Sequence, residues 1–308
     1  MNDTTPMIQT HGLTKRFGQR LAVDGVDLNV PRASAYGFLG HNGAGKTTVI
    51  RMLLGLTDAD AGTMLIGGRP VPAERARVLA HVGAIVEEPA FHPYLTGREN
   101  LRVAAAVRGP QAHDRIAGAL ARVGLSDRAR DRVGTYSQGM RQRLGIARCL
   151  LADPSLLILD EPMNGLDPGG ILELRELIGS LTEEGRTVFL SSHLLDEVEK
   201  TCAQAAVIDH GRIVEAGPIA ALMRDDRAEL EVDCDEPSRA ASLLDGHHAV
   251  LSATTTPAGL RILLAAPDAA APVNAALVAG GIAVSRLAPV RASLERRFLE
   301  LTSRVEKS

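Results

Sequence analysis

The chain lacks a charge excess of either sign. Its 34 Lys and Arg stand against 37 Asp and Glu, a net charge of -3, so no basic surplus argues for a nucleic-acid partner. It also lacks the run of ~20 predominantly apolar residues that a membrane-spanning helix needs. The longest nearly uncharged stretch, 262–285, is interrupted by Pro267, Asp268, Pro272, Asn274 and the Gly280-Gly281 pair, and reads as strand, helix, strand. The opening "MNDTTPMIQTHG" has no basic start followed by an apolar run, which excludes a secretory signal of the usual form and leads us to expect a cytosolic protein. Three cysteines, Cys149, Cys202 and Cys234, are too scattered for a metal site or a C-x-x-C motif, and we expect small buried hydrophobes there. There is no internal repeat and no low-complexity segment.

What is present is an ordinary globular composition, 45% hydrophobic and 23% charged, over 308 residues. That length exceeds the ~100–200 residues of a typical domain, so a large domain and a smaller one are expected. The first 55 residues read as short strands joined by turns, ending in the buried run "ASAYGFLG", a glycine loop and the helical "KTTVIRMLLG". From Leu95 to Leu151 apolar residues recur at helical spacing in "TGRENLRVAAAVRG", "HDRIAGALARVGL" and "QGMRQRLGIARCLLA". The strand "SLLILDEP", the helix "GGILELRELIGSLTEEG", the strand "TVFLSSH", the helix "LLDEVEKTC" and a strand pair around "AVIDHGRIVEAG" follow. Such alternation implies an α/β fold with a mainly parallel sheet and the helical stretch as an insertion, about residues 88–151.

Beyond "AALMRDDRA" the composition shifts towards alanine. We expect a large α/β domain over 1–223 and a small C-terminal α+β domain over 224–308. The latter reads as strand 230–234, helix 238–244, hairpin 250–264, helix 270–279 and strand 282–287. That order is a split βαβ, ferredoxin-like arrangement, closed by a helix in "ASLERRFLELTSR".

The segment "GHNGAGKT" matches G-x-x-x-x-G-K-[ST] between an apolar strand and a helix. Gly40, Gly43 and Gly45 let backbone N–H groups close around phosphates, and His41, Asn42 and Ala44 complete the loop. Lys46 can reach the β- and γ-phosphates, Thr47 can hold Mg²⁺, and Thr48 extends the polar cradle. In "LLILDE", four apolar residues carry Asp160 to the end of a strand, where it would hold Mg²⁺ through water. Glu161 is then placed to orient an attacking water or take its proton. An acidic pair after a strand can equally cap a helix; the phosphate loop decides for catalysis. His193 ends the strand "FLSSH" and should face the same edge, within reach of a γ-phosphate. The other eight histidines, the His247-His248 pair included, read as structural or surface residues.

These motifs, in this order, resemble the ATP-binding subunits of ABC transporters over roughly residues 7–223. The resemblance implies a P-loop NTPase core of RecA-like type that binds Mg-ATP. It also implies that "YSQGM" is the signature motif, with Ser137, Gln138 and Gly139 serving the nucleotide held by a second subunit in a head-to-tail dimer. Phe17 then takes the place of the aromatic stacked on adenine, although a core phenylalanine reads the same way. Asp167 in "NGLD" matches the loop that touches the partner subunit, and the helical insertion would lean towards an integral membrane permease. The family signature usually runs leucine-serine-glycine-glycine-glutamine; here Tyr136, Gln138 and Met140 depart from it. Glu87 stands where the family has glutamine, a position associated with Mg²⁺ or its water and with the permease. Glu87 together with "PAFHPYLTG" resembles the bacitracin- and lantibiotic-resistance branch, and "ASLERRFLELT" resembles the tail of drug-export ATPases.

The expectation is therefore a cytoplasmic ATPase, a homodimer held at the inner face of the membrane through a permease and exporting an antibiotic-like or amphipathic compound. A soluble ABC ATPase acting on nucleic acid is the alternative, disfavoured by the single ATPase copy and the absence of heptads and basic excess. A small-molecule kinase would not need "YSQGM" or "NGLD".

Overall fold

The fully buried strands of the chain all fall in one sheet, one of whose edge strands is half-buried. The computed structural model describes residues 5–223, 228–266, 268–290, 294–295 and 297–298. The chain divides into two units: one runs to Leu222 and takes in Phe298, the other spans Met223–Arg297.

In the first unit, β1 (Ile8–Phe17) and β2 (Arg20–Val30) form an antiparallel hairpin about Gly18. These strands run 10 and 11 residues, longer than the short strands expected. Gly12 and Gly25 look like strand breakers in the sequence, yet both have positive φ and sit where the register shifts, as glycine does in a β-bulge. The chain then enters β3 (Ala35–Leu39) and α1 (Lys46–Leu53). β4 (Ala61–Ile66) and β5 (Arg69–Pro70) complete the antiparallel sheet in the order β2-β1-β4-β5. A helix that periodicity did not announce, α2 (Val71–Leu79), leads into β6 (Val82–Ile85).

The helical insertion holds α3 (Gly97–Ala106), α4 (Pro110–Asp114), α5 (Ile116–Arg122) and α6 (Gln138–Leu150). Thr96 and Glu99 form a reciprocal capping box that starts α3. The single helix expected over 113–125 divides at Arg115 into α4 and α5. The core resumes with β7 (Leu156–Leu159), α7 (Pro168–Glu183), β8 (Thr187–Ser192), α8 (Leu195–Thr201), β9 (Gln204–Asp209), β10 (Arg212–Pro218) and α9 (Ile219–Leu222).

The core sheet has the order β10-β9-β3-β8-β7-β6 and is parallel except for the β9-β10 hairpin. Every residue of β3, β7 and β8 is buried, the continuous apolar pattern that a parallel sheet covered on both faces demands. Phe38 and Phe189 are fully buried with ring centroids 5.4 Å apart, and each such side chain contributes about 1.5–3 kcal/mol through burial. Cys149 and Cys202 are buried as expected, and burial pushes their thiols up to about 11 and about 12. Cys234 is half-buried, its thiol also raised, first by burial and then by Asp235.

The second unit contains β11 (Glu229–Cys234), α10 (Pro237–Leu244), β12 (Val250–Thr256), β13 (Gly259–Leu264), α11 (Ala270–Ala279) and β14 (Val284–Pro289). Its sheet is antiparallel in the order β12-β13-β11-β14, the spatial arrangement of a ferredoxin-like βαββαβ unit. Leu230, Val232, Leu244, Ile262, Val273 and Leu277 form its core. Of the expected closing helix only residues 294–295 and 297–298 are described; the rest lies outside the described residues.

Among the described residues no helix is long and apolar enough to cross a membrane.

Candidate functional site

Parallel strands place their carboxyl ends on one edge, and ligands of open α/β sheets bind in the crevice there. Four strands of the core sheet deliver the expected residues to that edge. β3 runs into Gly40, β7 into Asp160 and Glu161, β8 into His193, and β6 towards Glu87.

The loop 40–47 closes on itself through Ala44 N–H to the His41 carbonyl, 3.1 Å. Gly43 has φ 84° and Gly45 has φ 115°, a region that residues with a Cβ seldom enter; a Cβ on Gly45 would also stand 2.7 Å from the Ala22 carbonyl oxygen. Gly45 caps α1, whose first N–H groups and partial positive charge therefore face the loop. Lys46 is buried, and its ammonium donates to the carbonyls of Gly40 at 2.6 Å and His41 at 3.2 Å.

Glu161 lies between two partners. Its Oε1 is 3.1 Å from Lys46 Nζ, and its Oε2 is 2.9 Å from His193 Nδ1 and accepts from the His193 N–H at 3.3 Å. The backbone of Glu161 has φ 48°, a left-handed conformation that strains a non-glycine residue. Asp160 is buried and accepts from the Ser191 hydroxyl at 2.5 Å, while the Glu161 N–H donates to the same hydroxyl oxygen at 2.9 Å.

A cleft of about 240 Å³ gathers Phe17, His41, Asn42, Gly43, Gly45, Lys46, Thr47, Thr48 and Glu161, with Arg20 and Ala22 completing its wall. Phe17 is 52% exposed, which disposes of the core-phenylalanine alternative, and Lys15 Nζ sits 5.6 Å from its ring centroid. A larger cleft, about 470 Å³, opens among Met52, Met64, Leu65 and Val71; it contains none of these groups.

Ser137, Gln138, Gly139 and Asp167 do not line the small cleft. Ser137 caps α6 by accepting from the Met140 N–H, 3.2 Å. Gln138 Nε2 donates to the Asn164 carbonyl, 3.1 Å, and Asp167 caps α7 by accepting from the Gly170 N–H, 3.1 Å. Tyr136 explains one departure from the usual signature. Its ring is buried and its hydroxyl donates to the Arg128 carbonyl, 2.7 Å; burial first, then the charge of Asp131, holds the phenol above its ordinary value. A Cβ on Gly97 would lie 2.3 Å from that hydroxyl, so the glycine of "LTG" and the tyrosine of "YSQGM" are matched to each other.

Glu87, at φ 63°, has its carboxylate paired with Arg51 of α1. The sequence reading missed this partner, which is 36 residues away. It also missed Ser191, and it missed Phe298, whose ring meets His41 edge-on with centroids 4.6 Å apart. A serine inside "TVFLSS" signalled only a small buried residue.

The chain matches the ABC transporter family over residues 23–164. It is 40% identical over 296 residues to the bacitracin transport ATP-binding protein BcrA of Bacillus licheniformis, covering 96% of this chain and 97% of that protein. The chain belongs to the ATP-binding subunits of ABC transporters. It is 39% identical, over 98% of its length and 97% of the relative's, to the ABC transporter ATP-binding protein YhcH of Bacillus subtilis. A solved ATP-binding subunit of an ABC transporter superposes with a TM-score of 0.64 at 28% identity, covering 71% of this chain and 92% of that one. The ABC subunit is thus an ATPase coupled to transport; ATP-binding subunits of ABC transporters work with a membrane permease, and one solved ATP-binding cassette, 21% identical to this chain, is dimeric. The similarity to BcrA leaves the nucleic-acid alternative without support.

Proposed function

We propose that this subunit binds Mg-ATP between two copies of itself, arranged head to tail, and powers a permease that exports an antibiotic-like or amphipathic compound. In this reading residues 1–223 are the ATP-binding domain, with the helical subdomain at about 88–151 leaning towards the permease. Residues 224–308 are an accessory domain, and the dimer is peripheral at the inner face of the membrane. The export reading is supported by the identity to BcrA over nearly the whole chain.

The observation that carries the mechanism is the position of Glu161 between Lys46 and His193 at the mouth of the phosphate loop. Phosphoryl transfer to water needs charge stabilisation and a positioned nucleophile more than covalent chemistry. The loop N–H groups and Lys46 take the phosphates, exchanging the carbonyls that Lys46 now holds for phosphate oxygens. Phe17 offers an exposed ring for a base to stack on. Glu161 orients the attacking water and accepts its proton, and His193 fixes the carboxylate while its ring faces the γ-phosphate.

The Thr47 hydroxyl and the buried Asp160 carboxylate are hard oxygen donors beside the loop, a set that suits Mg²⁺, with Glu87 a further oxygen donor if it releases Arg51. The ion would neutralise charge on the β- and γ-phosphates. Ser137, Gln138 and Gly139 face a nucleotide held by the other copy, which accounts for their distance from the cleft of their own chain. Asp167 touches that copy.

The test is Glu161→Gln, which keeps size and nucleotide binding but removes the base. Loss of a positioned acid–base group costs about 10²–10⁴ in rate. Turnover should collapse while ATP-dependent dimers accumulate in size-exclusion chromatography; phosphate release at the wild-type rate would sink the assignment.

A further inference from the structure

We propose that Ser191 is a positioning residue for ATP hydrolysis, its single hydroxyl setting the metal-side carboxylate of Asp160 and the backbone of Glu161 together. The proposal rests on the roles given above to Asp160 and Glu161.

The strand register puts the hydroxyl there. β7 and β8 are parallel with Leu159 opposite Leu190, so the residue after Leu190 stands level with Asp160. That residue is Ser191, fully buried at the end of the apolar run Val188-Phe189-Leu190. Burying a hydroxyl is unfavourable unless it is bonded, and this one uses both of its capacities. It accepts from the Glu161 N–H at 2.9 Å and donates to Asp160 Oδ1 at 2.5 Å.

The direction of this chain is fixed by elementary chemistry. A backbone N–H can only donate, so the one hydroxyl hydrogen is left for the carboxylate. Each bond polarises the next, and both end on groups that the reaction uses.

Glu161 needs such a tether. At φ 48° its backbone occupies a region that persists only where the surroundings over-determine it. Lys46 and His193 hold the side chain; Ser191 holds the backbone. An apolar residue at 191 would leave the part-buried Glu161 N–H without this acceptor and Asp160 without this donor. The neighbouring Ser192 is equally buried but serves another end: its oxygen accepts from the Leu194 N–H at 2.9 Å.

The experiment compares Ser191→Ala, Ser191→Cys and Ser192→Ala in the full-length subunit. ATP turnover, thermal midpoint and the binding of a fluorescent ATP analogue in EDTA are measured for each. Ser191→Ala should lower kcat by about 10- to 100-fold, the span of a charge-assisted hydrogen bond. Metal-free nucleotide binding should stay within about threefold, because it depends neither on the placement of the base nor on the metal-side carboxylate. Ser191→Cys, nearly isosteric with a weak S–H donor, should fall between serine and alanine. Ser192→Ala removes a comparable buried hydroxyl and should keep kcat within about threefold. If the alanine variant does not fold, the cysteine variant decides alone.

A flat kcat across serine, cysteine and alanine overturns the proposal. So does a loss in Ser191→Ala that Ser192→Ala matches, or one that appears equally in nucleotide binding. Glu161→Gln is assayed alongside: if it too is active, the reading of the site fails; if it is dead while the Ser191 series is flat, only the role of Ser191 fails.

Discussion

Replacing Gly165 by alanine probes the junction between α6 and the loop that carries Asp167. Gly165 has φ 69°, and a Cβ built on it would stand 2.3 Å from Gln138 Nε2 and 2.6 Å from its Oε1. Two costs follow. Holding alanine in the left-handed region costs about 1–2 kcal/mol. The Gln138 amide must also swing away and give up its bond to the Asn164 carbonyl, a net loss of about 0.5–1.5 kcal/mol for one hydrogen bond. Together Gly165→Ala should destabilise the first unit by about 1.5–3.5 kcal/mol, read from denaturant unfolding without nucleotide. Glutamine at 138 is the variable that separates the two costs. In a Gln138→Ala background the amide is gone, so Gly165→Ala should cost only its backbone share of about 1–2 kcal/mol. The coupling of about 0.5–1.5 kcal/mol exceeds the ~0.3–0.5 kcal/mol within which independent sites add. ATP turnover should fall in Gly165→Ala and recover in part in the double variant. Equal destabilisation by Gly165→Ala in both backgrounds would show that the amide of Gln138 does not pack on Gly165, and the reasoning would fail.

Two further sets of substitutions test the division of labour. Glu87→Gln removes an exposed ion pair with Arg51, worth at most about 1 kcal/mol, and should keep isolated ATPase activity within about tenfold, a barrier change below about 1.4 kcal/mol. Glu87→Ala should impair resistance conferred with the permease more than it impairs hydrolysis; a Glu87→Gln variant as inactive as Glu161→Gln would place Glu87 in the catalytic machinery. Lys46→Ala and Ser137→Arg should each abolish turnover as homodimers, whereas a forced heterodimer concentrates both lesions in one composite site and should regain partial activity. Unaltered ATP-dependent dimerisation of Ser137→Arg would contradict its service to the other copy.

What could be read from the sequence was whatever periodicity or spacing encodes locally. The phosphate loop, the Asp160-Glu161 pair and His193 each announce themselves by an apolar strand ending in a chemical group, and the parallel sheet brings them to one edge. The strand and helix order of the second unit was legible for the same reason. Positions where sequence signals oppose each other were not. Gly12 and Gly25 suggest breaks yet sit inside long strands, because bulges absorb them. The "HDRIAGALARVGL" pattern is continuous in apolar spacing, yet the helix divides at Arg115. Contacts distant in the chain leave no local trace at all. Arg51 beside Glu87, Phe298 beside His41 and Ser191 beneath Asp160 are fixed by register and packing, and nothing in their neighbours distinguishes them from a surface arginine, a core aromatic and a small filler.

The buried cysteines have a practical consequence for testing whether two copies close on ATP. Burial holds the thiols of Cys149 and Cys202 far above their ordinary value, at about 11 and about 12, so both are almost wholly protonated at pH 7. Maleimides and spin-label reagents attack the thiolate, so the native chain reacts with them slowly, with half-buried Cys234 the first position to replace. A reporter cysteine at a site such as Val107, 86% exposed, would then carry a dye or nitroxide alone. Distances between two such labels could be measured through the ATP cycle without stripping the core of the cysteines that fill it.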